Sequence, residues 1–342
     1  MNNFPDDNSE FAVDVGTGSR YRGKLAGAIA PFITTIIAAL ALLSLVSARW
    51  GWRFSLELCS HFQLQYFLAS SLLLVALLLT CRKPWIWLGL GLVALQSCQI
   101  VPWYLPVGSP FGISRAAETA STLRVLVTNV NAYNRDYATV LSLVEETAPD
   151  LAVFMEVDRA WQAQFDSLQG MLPYHSGQAL PFHWGLLVYS RQPLKDLRIH
   201  RFPNQKNISV LGTLDFNGKA LSLVATHPPP PVNPTKFRHR NQQLAAISDY
   251  IDSLNDSVLL VGDLNVSLWS PYYHRLERRS QLRNVRRGFG ILPTWSPLYS
   301  SWVLSIPIDH ALVSKELVAT RVEVGPDIGS DHRPLIAELQ WR

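Results

Sequence analysis

Three apolar stretches crowd the first third of the chain: Leu25 to Ala48, about Leu64 to Cys81, and Trp85 to about Leu105. Each approaches the roughly 20 residues that an α-helix needs to cross a bilayer. Trp50, Trp52, Trp85, Trp87 and Trp103 sit at their ends, where interfacial aromatics belong. A cleaved secretory signal accounts for one such stretch but not for three, and no clear small-residue cleavage pattern comes after the first. The second stretch is the shortest and the third carries Gln96 and Gln99. The chain is 48% hydrophobic and only 16% charged, against roughly a quarter charged in soluble domains. That excess lies before residue 107, and the rest of the chain has the composition and length of one well-buried globular domain.

Short basic flanks give an expected orientation. Arg20, Arg22 and Lys24 precede the first stretch and Arg82 with Lys83 joins the second to the third, whereas the first connection offers only Arg49 and Arg53. The bias puts the N-terminus and the Arg82-Lys83 turn in the cytoplasm. In a bacterium this describes a multi-pass protein of the inner (plasma) membrane whose large domain is extracytoplasmic. The expected organisation is a tail over 1–24, an anchor of three transmembrane helices over 25–105, a turn-rich linker over 106–121 and a domain over 122–342. All three cysteines, Cys59, Cys81 and Cys98, precede that domain, which therefore has no disulfide, Cys-based metal site or Cys nucleophile. The net charge of +4 is too mild to name an acidic partner.

Within the domain, β-branched and apolar runs predict strands at Leu123 to Thr128, "DLAVFMEVD", "HWGLLVYS", "VLLVGDLN", "IDHALVS" and "PLIAELQW". A hairpin is expected over 209–227, turning at Asn217-Gly218. Tyr137 to Glu146 and Phe237 to Leu254 have helical spacing. Many strands with few helices predict a two-sheet α/β sandwich rather than a doubly wound sheet.

Polar and titratable residues recur at the strand boundaries. Asn129 ends the first strand, Glu156 the second, His227 the hairpin, and Asp263 with Asn265 the run "VLLV"; Asp309 opens "IDHALVS", and Ser330-Asp331-His332 precedes the last strand. Beyond strand ends an open sheet binds its ligands. Asp and Asn there also cap turns, and "GDLN" alone favours the turn; so many together do not.

The ordered set "TNVN", "FMEVD", "ATH", "GDLN", "IDHALVS" and "SDHRPL" resembles the endonuclease/exonuclease/phosphatase superfamily, the deoxyribonuclease-I-like fold, over nearly all of 123–342. The stretch "LRNVRRGFGILPTWSP" is similar to a segment of bacterial membrane-tethered members. The resemblance implies a phosphoric ester hydrolase dependent on Mg²⁺, with Mn²⁺ as an alternative. Glu156 would be the principal metal ligand, with Asn129 assisting at the metal or the phosphate and Asp331 facing the metal or a second cation site. Asp263 would position or deprotonate water, Asn265 would bond a phosphate oxygen, and His227 would protonate the leaving group or bind phosphate. His332 paired with Asp309 would serve as general base or as a stabilising cation. Met155 stands where the family often has Gln, and alternation along the strand turns it to the other face from Glu156.

Substrate contacts are expected from Asn131 and from Arg240, Arg286 and Arg287. The last two belong to "HRLERRSQLRNVRRG", with Arg275, Arg278, Arg279 and Arg283. Such a cluster could grip a nucleic-acid backbone, bind anionic lipid headgroups beside a membrane, or form a solvated helix face paired with Glu277. The expected partners are thus a nucleic acid or phospholipid phosphodiester and the lipid bilayer, with no protein partner. A nuclease would carry a basic groove and a lipid enzyme an exposed apolar loop. The leading expectation is a membrane-anchored nuclease; the alternatives are a phospholipid headgroup phosphodiesterase of the sphingomyelinase kind, a phosphatase acting on a soluble phosphomonoester, and a membrane scaffold without catalysis.

Overall fold

The computed structural model describes residues 15–80, 82–105, 121–202, 207–298 and 302–342. The expected linker therefore lies outside the described residues except for Ser121, as does most of the expected tail.

The N-terminal part comprises α1 (Val15–Trp50), α2 (Phe54–Ser60), α3 (Gln63–Leu78) and α4 (Lys83–Ile100), with a 3-10 turn at Val101–Trp103. Ala30, Ile37, Leu74 and Leu77 form its core, packed by Ile33, Trp85 and Ile86. Phe32, Leu42, Leu72, Leu79 and Trp87 point outward and are more than 60% exposed, an apolar exterior that water would not favour. Gln96 donates to Ser70 Oγ (2.9 Å) and Gln99 to Ser44 Oγ (3.0 Å), so the polar residues of the third stretch join helices to one another. Two helices, Gly27–Trp50 and Lys83–Trp103, are long and apolar enough to cross a membrane. The second expected span differs. α3 has 16 residues and turns by 60° from α2; alone it is about 24 Å long, short of a hydrocarbon core of about 30 Å. Among the described residues the three expected spans thus correspond to two helices of sufficient length and a bent pair that would make a third only if it counts as one span.

The domain contains β1 (Leu123–Asn129), α5 (Tyr137–Thr147), β2 (Leu151–Met155), α6 (Arg159–Phe165), β3 (Tyr174–Gln178), β4 (Leu186–Ser190), β5 (Leu194–His200), β6 (Ser209–Phe216), β7 (Lys219–Thr226), α7 (Pro234–Asp252), β8 (Ser257–Asp263), α8 (Pro271–Ser280), β9 (Arg283–Asn284), β10 (Asp309–Val313), β11 (Leu317–Val324) and β12 (Leu335–Trp341). They form two six-stranded sheets, ordered β11-β12-β1-β2-β4-β3 and β5-β6-β7-β8-β10-β9. Val125, Val127, Val153 and Met155 from one sheet meet Val210, Leu223, Val261 and Ala311 from the other in the central core. Leu126 and Phe154 face outward onto α5 and α6, and Val224 and Leu260 onto α7 and α8. Ile100 and Trp103 of the N-terminal part join the α7/α8 cluster. Central strands covered on both faces read as unbroken apolar runs.

Two topological facts assemble the strand ends. β1 runs parallel to β2, and β7 to β8, so their carboxyl ends lie side by side. β10 and β12 run antiparallel to β8 and β1, which sets Asp309 opposite Asp263 and Leu335 opposite Val127. The hairpin turns at Asn217 (φ 55°) and Gly218 (φ 75°) as expected.

Candidate active site

Three residues at the mouth leave their strands through left-handed backbone: Asn131 (φ 57°), Glu156 (φ 58°) and Asn265 (φ 51°). Asn tolerates this region, whereas for Glu it stores strain of about 1–2 kcal/mol. Gly262, at φ 141°, is required by proximity, because a Cβ there would lie 1.9 Å from the Thr226 carbonyl oxygen at the end of β7. The glycine of "GDLN" thereby lets β7 and β8 close together and brings His227 beside Asp263.

The side chains converge on Asn129. Its amide donates to Glu156 Oε1 (3.0 Å) and Asp263 Oδ2 (3.3 Å), and lies 3.5 Å from His332 Nε2. His332 Nδ1 is 2.9 Å from Asp309 Oδ2 and its Nε2 is 3.7 Å from Asp263 Oδ2. His227 Nε2 is 3.7 Å from Glu156 Oε1 and is buried without a hydrogen-bond partner. Asp263 accepts the Asn265 backbone N–H (2.9 Å) and its amide (3.3 Å), which fixes the carboxylate inside its own turn. Asn131 donates to Asp331 Oδ1 (2.8 Å) and Trp295 Nε1 to Asp331 Oδ2 (2.9 Å). Ser330 Oγ donates to the Asn129 carbonyl (2.9 Å), tying the last loop to β1.

Burial opposes ionisation of Glu156, but the hydrogen bond from His183, the nearby His227 and the Asn129 amide outweigh it and hold the carboxyl well below the usual range. Burial likewise opposes the charged imidazole of His332, yet the Asp309 and Asp263 carboxylates hold its pKa up, at about 10. Asp263 is pushed up to about 6 by burial and by Asp309, against the opposing pull of His332. His332 is therefore an imidazolium at neutral pH in the metal-free protein, which suits charge stabilisation rather than proton abstraction.

Arg240 and Arg286 do not reach the substrate side. Both are fully buried. Arg240 Nη1 donates to the Asn265 carbonyl (2.7 Å) and Nη2 pairs with Glu57 Oε1 (3.0 Å); Arg286 Nη1 donates to the Asp309 carbonyl (2.6 Å) and Nη2 to that of Leu292 (3.2 Å). They brace the segments of Asn265 and Asp309 from behind, because a guanidinium can be buried once its donors are used. Arg287 pairs with Glu277 (3.2 Å) and stacks over Trp103 (5.0 Å), on the side packed against the helices. Nearby, Arg275 covers Trp52 (4.5 Å) and Arg279 pairs with Asp249. The basic stretch is thus spent largely on pairing and docking.

Two contributors have no sequence signal of their own. His183, in a 3-10 turn rather than in the strand expected there, places Nδ1 2.7 Å from Glu156 Oε2. Met155 faces the inter-sheet core, away from Glu156 as alternation requires, but its sulfur accepts the Asp263 backbone N–H (2.9 Å).

A family model described as "Endonuclease/Exonuclease/phosphatase family" matches residues 126–332, more than half of the chain. The chain belongs to this family. No curated protein matches it in sequence. Similar solved structures include D. rerio TDP2 complexed with single strand DNA product, at 15% identity and TM-score 0.56, covering 64% of this chain and 99% of that one. An endonuclease/exonuclease/phosphatase from Beutenbergia cavernae matches at 18% identity and TM-score 0.54, over 64% and 72%. An AP endonuclease from Archaeoglobus fulgidus matches at 16% and TM-score 0.52, over 63% and 98%. At these identities the family's fold is what is shared. Members of the family are phosphoric ester hydrolases and typically use divalent metals, and the buried group Asp263, Asp309 and His332 has the ligand spacing to hold one.

Proposed function

We propose that this family member is a membrane-anchored phosphodiesterase dependent on a divalent cation, Mg²⁺ or Mn²⁺. The observation that carries the proposal is the convergence of Glu156, Asp263, Asp309, His227 and His332 around the Asn129 amide. The residues fit a hard cation. Three carboxylates share one mouth, burial together with Asp309 pushes Asp263 up to about 6, and oxygen donors of this kind match Mg²⁺. Glu156 and Asn129 would hold the cation, with Asp331, oriented by Asn131 and Trp295, facing it. A bound cation would neutralise charge on the phosphoryl oxygens.

The remaining roles come from geometry. Asp263, locked by Asn265, orients the attacking water and takes its proton. His332, kept charged by Asp309, stabilises the negative charge that develops on phosphorus-bound oxygens. His227 has its unsatisfied Nε2 beside Glu156 and protonates the leaving oxygen. Asn265 and Asn131 contact the phosphate.

The mouth favours a phosphodiester with an apolar portion. Tyr133 lies against His183 at 5.9 Å and is 66% exposed, and neighbouring Phe182 is 60% exposed. Exposed Val303 and Leu304 lie in the turn that leads to Ile306, which bridges Trp295 as Trp295 bridges His332, and Gln65 at the start of α3 donates to the Val303 (3.1 Å) and Ser305 (2.9 Å) carbonyls. An apolar rim tied to the anchor, with the expected arginines buried or paired, supports a phospholipid headgroup over a nucleic acid. The single strand DNA product in D. rerio TDP2 is the finding that favours a nuclease. Metal-dependent cleavage of phospholipid vesicles, duplex and single-stranded DNA, RNA and a chromogenic phosphodiester, with Glu156→Ala and His332→Ala as controls, separates the two. Normal turnover in both variants would sink the site assignment, and no metal-dependent turnover of any substrate would support the scaffold alternative.

The Trp52 carbonyl accepts from Tyr272 Oη (2.8 Å) and the Gln99 carbonyl from Trp269 Nε1 (2.9 Å). These contacts favour a domain on the same side of the membrane as the first helix connection, which the basic flanks make extracytoplasmic. An alkaline phosphatase fused at the C-terminus should be active; a silent fusion beside an active cytoplasmic reporter would reverse the orientation.

A further inference from the structure

The loop Asp263 to Ser267 carries two of the proposed catalytic residues, and its outward-facing atoms are gripped from behind at three successive positions. Arg240 Nη1 donates to the Asn265 carbonyl (2.7 Å), His310 Nε2 lies 2.7 Å from the Val266 carbonyl, and His61 Nδ1 lies 2.8 Å from Ser267 Oγ. Two of these three grips lead back to α2, which belongs to the anchor. His61 is at its C-terminal end, and Glu57 within it pairs with Arg240 Nη2 (3.0 Å). Glu57 Oε2 also lies 3.3 Å from His61 Nε2, so the two residues are joined to each other.

We infer that α2 is a positioning strut for catalysis: Glu57 fixes Arg240, and Arg240 fixes the Asn265 carbonyl and with it the turn that orients Asp263. Its activity consequence rests on the hydrolase proposed above; its structural consequence does not. Both side chains of the pair are fully buried. A guanidinium holds two acceptors in a fixed planar relation, so a carboxylate placed on one amine sets the direction of the other. Asn241 Oδ1 takes Nε (2.9 Å) and shares Nη2 (2.7 Å), and the rings of Phe237 (5.3 Å) and Tyr272 (5.8 Å) pack the guanidinium. With Glu57 withdrawn, Arg240 would be a buried charge without its carboxylate and would shift toward water, releasing the loop. Trp103 and Ile100 already supply apolar docking between anchor and domain, so adhesion alone does not call for a buried ion pair 183 residues apart in sequence.

The test uses the full chain in detergent and reads thermal stability, amide exchange over 263–268, and kcat and KM. In Glu57→Leu/Arg240→Met no charge is stranded, and stability should recover toward wild type while either single change lowers it. Loop exchange should nevertheless stay at least tenfold faster than wild type, with kcat at least tenfold lower and KM within twofold. Arg240→Lys keeps the charge and the fold but not the second planar donor, and should also speed loop exchange. Wild-type exchange and kcat in a stable double variant would overturn the strut and leave the pair as glue. A wild-type protein inactive on every phosphodiester would defeat the hydrolase proposal, while the exchange rates would still decide the strut.

Discussion

Two clusters of buried charge flank the same loop and are built differently. Behind it, the Glu57 carboxylate lies between the Arg240 guanidinium (3.0 Å) and the His61 ring (3.3 Å), one carboxylate against one permanent cation. In front, Glu156, Asp263 and Asp309 face His183, His227 and His332, so the three carboxylates are balanced only when every imidazole is charged. A cluster that serves the fold satisfies its own charges, because a stranded buried ion is costly. A cluster that serves chemistry is built of groups whose charge an incoming group can reset. Glu57 and Arg240 are sealed from water, whereas Glu156 and His183 keep a path to it, with side chains 13% and 42% exposed.

Breaking the rear cluster should give the largest effect. Arg240→Ala strands Glu57 in the interior and should cost about 3–5 kcal/mol, read as a drop in thermal midpoint or in urea midpoint at unchanged slope. Breaking the front cluster should act mainly on turnover. Glu156→Ala should reduce metal-dependent turnover on the order of 10³-fold, the scale of losing a principal charge-stabilising group, while costing less metal-free stability than Arg240→Ala does. If Glu156→Ala unfolded the protein as Arg240→Ala does, the distinction between the clusters would fail.

An intermediate effect sharpens the contrast through pH. Asp263 has a folded pKa of about 6, above its ordinary value, so the folded state binds its proton more tightly than the unfolded state does. Its contribution to stability is complete below the unfolded pKa and is lost as pH rises through 6. In EDTA the wild type should lose on the order of 2 kcal/mol between pH 4 and 7 from this group, and Asp263→Asn should remove that part of the slope. Saturating Mg²⁺ should also flatten it. An unchanged slope in the Asn variant would show that Asp263 is not raised within the front cluster.

The sequence carried these two regions unequally. β1, β2, β7, β8, β10 and β12 are apolar runs because both faces are covered, and polar residues at their ends stand out against them. That contrast is why Asn129, Glu156, His227, Asp263, Asp309 and His332 could be gathered before any geometry. β3 and β5 are edge strands with mostly exposed or half-exposed residues, and they leave no alternation to read. Arg240 and Arg286 misled because arginine in a sequence signals a charged surface, while in the fold each has carbonyl or carboxylate partners enough to be buried. Glu57 and His61 gave no sign, since Arg240 and Ser267 lie far along the chain and their meaning exists only once the N-terminal helices dock on the domain. His183 is a lone histidine in a short turn, ordinary until Glu156 arrives beside it.

The smallest expected effect tests what the front of the domain receives. Arg278 and Arg283 are exposed members of the basic stretch, near the Glu277–Arg287 pair on the helix-packed side. If a nucleic acid were gripped by this stretch, removing both arginines would weaken binding and lower the salt slope by about 2, one unit for each phosphate contact. If the substrate enters instead over Tyr133, Phe182 and Val303, the double change Arg278→Ala/Arg283→Ala should alter turnover less than twofold and stability by no more than about 0.5 kcal/mol. Polar replacement of Phe182 and Val303 should then be the more damaging change, raising KM for vesicles while sparing a soluble chromogenic phosphodiester. A lost salt slope in the arginine variant would move the substrate to the basic face and make the apolar rim incidental.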